Sequence, residues 1–233
     1  MLQLDRLLYQ QDGFSLTADL QIASGDRVAV IGPSGGGKST LLNGIAGFLV
    51  PREGQVLWNG KPMPDHPGER PLSILFQDHN LFPHLTVLDN VAIGLRPDMR
   101  LSAFQKAQAI SALDQVGLGD KAMAHPRDLS GGQKGRAGLA RALLRQRPIL
   151  LLDEPFAALG PALKDEMLEL TRQIVHQAGI TALMVTHDPQ DALNFAQYAI
   201  LVVDGQAQAP APIGPLFDQP PPALQAYLGR RAP

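Results

Sequence analysis

The chain contains no cysteine, which excludes disulfides, thiolate metal sites and a cysteine nucleophile, and fits a reducing compartment. It also lacks a dominant charge: 20 Lys and Arg stand against 22 Asp and Glu, a net charge of -2. That balance leaves no electrostatic footprint for nucleic acid, which is therefore not an expected partner. No apolar run approaches the ~18 residues needed to cross a bilayer, and Met1-Leu2-Gln3-Leu4-Asp5-Arg6 lacks the basic-then-apolar order of a secretion signal. Work at a membrane would thus require another chain as anchor. Aromatics are scarce, at 5% with one tryptophan, but a 45% hydrophobic content over 233 residues suffices for a substantial core.

What is present is organised around Gly32-Pro33-Ser34-Gly35-Gly36-Gly37-Lys38-Ser39-Thr40. This stretch follows the apolar run Arg27-Val28-Ala29-Val30-Ile31 and precedes Leu41-Leu42-Asn43-Gly44-Ile45-Ala46. Strand, glycine loop and helix in that order satisfy G-x-x-x-x-G-K-[ST], in which backbone N–H groups surround phosphates at the positive end of a helix dipole. Lys38 is then placed to reach the β- and γ-phosphates, and the Ser39 hydroxyl to ligate Mg²⁺.

Residues 2–8 and 14–22 read as strands, with Tyr9 where the first ends; a tyrosine there either packs or stacks on a nucleobase. Gln55 to Trp58 forms a strand closed by an Asn59-Gly60 turn, followed by a proline-rich exposed loop from Lys61 to Pro71. Leu72 to Phe76 is a short buried strand with Gln77 at its carboxyl end, where open α/β sheets present ligand-binding groups. From Asp78 to about Arg127 the texture is helical, with Ser102 as the cap of the longest helix of that region. Leu129-Ser130-Gly131-Gly132-Gln133 opens a further helix; the residues alone leave it either a cap and turn or a second anion site.

Pro148 to Leu152 is a continuous apolar strand ending in Asp153 and Glu154. Asp153 fits the Mg²⁺-associated acid of phosphate-loop enzymes, and Glu154 a base that holds and deprotonates water. An amphipathic helix over 161–178 and a buried strand over 180–185 follow, the strand finished by Thr186-His187-Asp188. His187 shares the expected sheet edge with Gln77 and Glu154 and suits a γ-phosphate sensor. Residues 199–209 form a strand pair turned at Asp204-Gly205, and a proline-rich tail leads to a short helix ending at Leu228.

Together, Gly32 to Thr40, Gln77, the Leu129–Gln133 pentad, Leu150-Leu151-Leu152-Asp153-Glu154-Pro155 and His187 resemble the ATP-binding cassette (ABC) family in order and spacing. The resemblance implies a single nucleotide-binding domain over 1–233. Its fold would be an α/β phosphate-loop NTPase core with a mostly parallel sheet, an N-terminal antiparallel β subdomain and a helical subdomain inserted over about 78–145, without a C-terminal regulatory domain. It implies ATP and Mg²⁺ as ligands: Tyr9 stacking on adenine, Ser39, Gln77 and Asp153 at the metal, and Glu154, His187, Gln77 and Lys38 in hydrolysis. It further implies a head-to-tail homodimer, in which Ser130, Gly131, Gly132 and Gln133 of one copy meet the ATP held by the phosphate loop of the other.

Phe76-Gln77-Asp78-His79-Asn80-Leu81-Phe82-Pro83-His84-Leu85-Thr86-Val87 resembles the coupling segment of bacterial importers, which receives a helix of an integral-membrane permease. Phe14-Ser15-Leu16-Thr17, Gly47-Phe48-Leu49 and Pro161 to Leu168 are most similar to the ATPases of thiamine importers. The implied setting is the cytoplasmic face of the bacterial inner membrane, with an extracytoplasmic solute-binding protein as indirect partner. Import of a polyamine or ferric iron, or a soluble cassette ATPase, are the alternatives. Two departures stand out: Gly160 where the family usually has Asp, and Lys134-Gly135-Arg136 where it has Arg-Gln-Arg, with Gly135 costing its helix up to ~1 kcal/mol relative to Ala.

Overall fold

A computed structural model describes residues 1–11, 13–78 and 80–228. Strands β1 (Leu2–Gln11), β2 (Phe14–Ile22), β4 (Glu53–Trp58) and β5 (Lys61–Pro62) pair antiparallel. Strands β3 (Arg27–Ile31), β6 (Leu72–Leu75), β7 (Ile149–Asp153), β8 (Thr181–Val185) and β9 (Tyr198–Val203) lie parallel to one another. The short β10 (Gln206–Ala207) joins the two sets, and β11 (Ala211–Pro212) pairs with β9. The order is β5-β4-β1-β2-β10-β9-β3-β8-β7-β6. The fold is the expected α/β core with a mostly parallel sheet and an antiparallel N-terminal portion.

The parallel strands are buried nearly throughout, as their unbroken aliphatic runs require of strands covered on both faces. Helix α1 (Lys38–Ala46) packs in the cluster formed with the antiparallel strands, burying Leu41, Leu42 and Ile45. Helices α2 (Val87–Ala92), α3 (Ala103–Gln115) and α4 (Gly131–Leu144) build a separate core from Val87, Val91, Leu113, Val116 and Leu129. Ser102 caps α3 through a reciprocal capping box with Gln105, although α4, with 14 residues, is one longer than α3. Helix α5 (Pro161–Gln177) and α6 (Pro189–Phe195) cover the other sheet face with Met167, Leu168, Ala192 and Phe195.

Three local expectations are corrected. Strand β1 continues to Gln11, so Tyr9 lies within it rather than at its end. The loop from Lys61 to Pro71 is not wholly exposed: Arg70 is 5% exposed, and its guanidinium donates to the carbonyls of Gly44, Ile45 and Pro64 at 2.7–2.9 Å. It thereby satisfies two of the last carbonyls of α1, which helix geometry leaves open. The proline-rich tail contains an unforeseen helix, α7 (Ile213–Asp218), before α8 (Pro222–Tyr227). Residues 229–233, Asp12 and His79 of the coupling segment lie outside the described residues.

Candidate nucleotide site

The site follows from register. Leu75 of β6 pairs with Leu152 of β7, and Asp153 pairs with Val185 of β8. Gln77, Glu154 and His187 are therefore one or two residues beyond aligned strand ends, on the edge where β3 passes into the glycine loop. There Glu154 N–H donates to Val185 O at 3.1 Å, and His187 Nδ1 lies 3.1 Å from Glu154 Oε2. Glu154 holds φ at 45°, a left-handed backbone that costs a non-glycine residue roughly 1 kcal/mol or more. Such strain concentrates where a side chain must be aimed, and here it turns the carboxylate out of the strand toward the loop.

The loop is shaped by close approach. Gly32 has φ 144° where the chain passes over the carbonyl of Val202, and Gly37 has φ 109° beside the ring of Phe14. A Cβ at either position would collide with these neighbours. The first N–H groups of α1 have no acceptor within the helix, and the residues that open the helix, Lys38 to Thr40, line the cleft. Lys38 is 8% exposed, and its ammonium donates to Gly32 O at 2.8 Å and Pro33 O at 2.9 Å, two carbonyls of its own loop. Burial lowers its pKa, with Glu154 and Asp153 opposing. Burial raises that of Asp153, with the Glu154 charge adding and Lys38 opposing. A cleft of about 360 Å³ gathers Phe14, Ser34, Gly35, Gly37, Lys38, Ser39, Thr40 and Glu154.

The Ser39 hydroxyl and the Asp153 carboxylate are hard oxygen donors, and this set fits Mg²⁺, which binds through one or two protein oxygens together with substrate phosphates and water. Among the described residues no group of three His, Asp or Glu forms a self-sufficient metal cage. That suits an ion held jointly with phosphate.

Tyr9, expected to stack on adenine, is mostly committed to the core, although it also borders a cleft beside the phosphate loop. Its ring is 4% exposed and so close to α1 that a Cβ on Gly44 would lie 2.6 Å from Cε2. A β-bulge at Arg6 (φ 46°) is the cause: Leu2 and Leu4 face inward, then register slips by one, and Leu7 and Tyr9 face inward instead. Phe14 is the missed aromatic. Partly exposed, it borders both the phosphate cleft and an adjoining cleft of about 270 Å³ that it shares with Tyr9, Gln11, Thr40, Leu49 and Val50. Its proximity to the glycine loop depends on β2 pairing and carried no local signal.

The pentad is not brought to the chain's own phosphate loop: among the described residues, Ser130–Gln133 do not line that cleft. Ser130 caps α4, its Oγ accepting from Gln133 N–H at 3.3 Å while Gln133 Oε1 accepts from Ser130 N–H at 2.9 Å. The Gln133 side chain is thus committed to the cap. Gly132 is buried, and a Cβ there would come within 2.9 Å of Leu163 Cγ on α5. Its glycine identity is set by helix packing. Ser130 and Gly131 remain exposed.

A strand-to-helix phosphate loop, faced across the sheet edge by an acid pair and a histidine, defines a phosphate-loop nucleoside triphosphatase. The chain belongs to the ABC transporter family, whose model matches residues 16–157. It is 61% identical to the thiamine import ATP-binding protein ThiQ of Cereibacter sphaeroides, over 98% of this chain and 100% of the relative. Identity to the protein of the same name in Ruegeria sp. is 52%, with the same coverage. Among solved structures, a dimeric ATP-binding cassette in a post-hydrolysis state with ADP and Pi superposes with TM-score 0.77 at 31% identity, covering 91% of this chain and 99% of that one. For cbiO1 of Clostridium perfringens, part of the ABC transporter complex cbiONQ, the TM-score is 0.84 at 28% identity, covering 94% and 90%. The chain is an ATPase of the cassette type.

Proposed function

We propose that this chain is the ATP-hydrolysing subunit of a thiamine importer. The observation carrying the solute is the 61% identity, end to end, with a thiamine import ATP-binding protein. Phosphates entering the cleft replace the Gly32 and Pro33 carbonyls as acceptors for Lys38, while the free N–H groups at the start of α1 hold the remaining oxygens. Ser39 and Asp153, with Gln77 beside them, would hold Mg²⁺, which would supply charge neutralisation on the phosphate oxygens. Glu154 takes the proton of the attacking water, Gln77 orients that water, and His187 exchanges Glu154 for the γ-phosphate. The base rests on Phe14. Because Ser130 and Gly131 do not line their own chain's cleft, a second copy brings them to the γ-phosphate and shuts out bulk solvent while the one attacking water stays.

No helix among the described residues is long and apolar enough to cross a membrane. Phe48 (51% exposed) and Phe82 (44%) leave apolar surface on the coupling segment's side, and the Phe48 and Phe76 rings lie 6.2 Å apart. This surface seats the permease at the cytoplasmic face of the inner membrane. The test is uptake of labelled thiamine by cells carrying the cognate permease, with the parent chain and with Glu154→Gln. Uptake abolished by the variant, with ATP trapped in a dimer, supports the reading. Uptake unchanged on deleting the chain refutes it.

A further inference from the structure

The turn that carries His187 is held from behind by a charge cluster on three elements. Lys164 Nζ of α5 pairs with Asp188 and, at 2.8 Å, with Asp191 Oδ1. The Thr186 hydroxyl donates to Asp191 Oδ2 at 3.2 Å and accepts from Asp188 N–H at 3.0 Å. Asp188 Oδ1 caps α6 by accepting from Gln190 N–H at 2.9 Å. Two carboxylates thus share one ammonium in a half-buried setting. Asp188 is held below the usual carboxylate range mainly by its hydrogen bond from Lys164, whereas burial pushes Asp191 up. Each of the four carboxylate oxygens already has one partner and keeps a second lone pair for another donor.

Helix α8 brings one. Tyr227 packs against the core that contains Phe156, two residues past Glu154, together with Ala192 and Phe195 of α6. Its hydroxyl is shut off from solvent and has no hydrogen-bond partner among the described residues. Burial, and after it the charges of Asp188, Glu154 and Asp191, push its pKa up to about 12, so it stays a protonated donor. A buried hydroxyl seldom goes unpaired, and each exception calls for an explanation.

We propose that Tyr227 is a positioning residue for the histidine turn: when nucleotide draws His187 toward the γ-phosphate, the Tyr227 hydroxyl donates to the Asp188–Asp191 pair and braces the turn there. The C-terminal helix thereby takes part in hydrolysis although no side chain of it meets substrate. Lys164 ties the same pair to the first turn of α5, directly after Gly160, so the brace and the loop expected at the dimer face act on one cluster. The proposal rests on the reading of His187 as a γ-phosphate contact.

The test compares the full chain with Tyr227→Phe, which keeps the ring and removes only the hydroxyl. Melting temperature is measured without nucleotide and with saturating ATP and Mg²⁺, both in a Glu154→Gln background that prevents turnover. In the nucleotide-free form Tyr227→Phe is expected to melt at or above the parent, and the ATP-induced rise to be smaller than the parent's. In the hydrolysing background kcat falls about three- to tenfold with the KM for ATP little changed. Equal ATP-induced rises in the parent and Tyr227→Phe overturn the proposal, even where Tyr227→Ala lowers activity, because ring packing then accounts for everything. An ATP-induced rise undiminished in His187→Ala would mark failure of the His187 reading, separately from the Tyr227 comparison.

Discussion

Replacing Tyr9 by Phe tests whether the Tyr9 hydroxyl is a buried, unpaired group of the core. The hydroxyl is buried, lacks a partner among the described residues, and sits on a ring pressed against α1. An unsatisfied buried hydroxyl forfeits its hydration, a loss of about 1–3 kcal/mol, whereas the ring keeps every apolar contact in the variant. Tyr9→Phe is therefore expected to stabilise the chain by about 1 kcal/mol, a rise of roughly 2–4 °C in a protein of this size. The pH dependence has a definite sign. Burial raises the Tyr9 pKa from 10.0 to about 12, so the fold favours the neutral phenol. Its contribution is complete below pH 10 and is lost as pH rises from 10 to 12, by about 1.4 kcal/mol per unit. Urea denaturation at pH 8 and at pH 11 measures both effects: the variant's advantage grows at the higher pH. A variant less stable than the parent at pH 8, or an advantage independent of pH, refutes the assignment.

Phe14→Ala removes the proposed base platform and is expected to weaken binding of a fluorescent ATP analogue about tenfold, since base stacking on an aromatic is worth about 1–3 kcal/mol; unchanged affinity would place the base elsewhere. Gly132→Ala sets ~1–3 kcal/mol of overpacking against Leu163 in opposition to a gain of ~1 kcal/mol in helix propensity, so a net loss of about 1 kcal/mol is expected in a denaturant midpoint. Gly160→Asp meets nothing within 4 Å and supplies the side-chain cap that α5 lacks, which should stabilise by about 0.5 kcal/mol. It is also expected to raise ATP turnover; a higher melting temperature with unchanged turnover would confine Gly160 to the helix cap.

Features carried by adjacent residues were legible in the sequence. The phosphate loop needs only a strand, glycines and a helix start in succession, and Lys38 falls where that succession puts it. The aliphatic runs ending at Asp153 and Val185 announce buried parallel strands, and placing Gln77, Glu154 and His187 just past strand ends puts them on one sheet edge, which the register of the three strands then aligns. The caps at Ser102 and Ser130 and the Asp204-Gly205 turn are equally local, because side chain and backbone meet within three or four residues.

Everything that depended on a partner far along the chain was decided by tertiary structure. One extra residue at Arg6 reverses which side chains of β1 face inward, and only pairing with β2 and β4 reveals it. Gly132 is defined by Leu163 on another helix, the buried cation Arg70 by carbonyls of α1, and Phe14 by the loop it crosses. The cluster of Lys164, Asp188 and Asp191 joins segments that share no pattern. Hydrogen-bonding order along a backbone is written in neighbouring residues, whereas burial and electrostatic pairing exist only once distant segments are packed together.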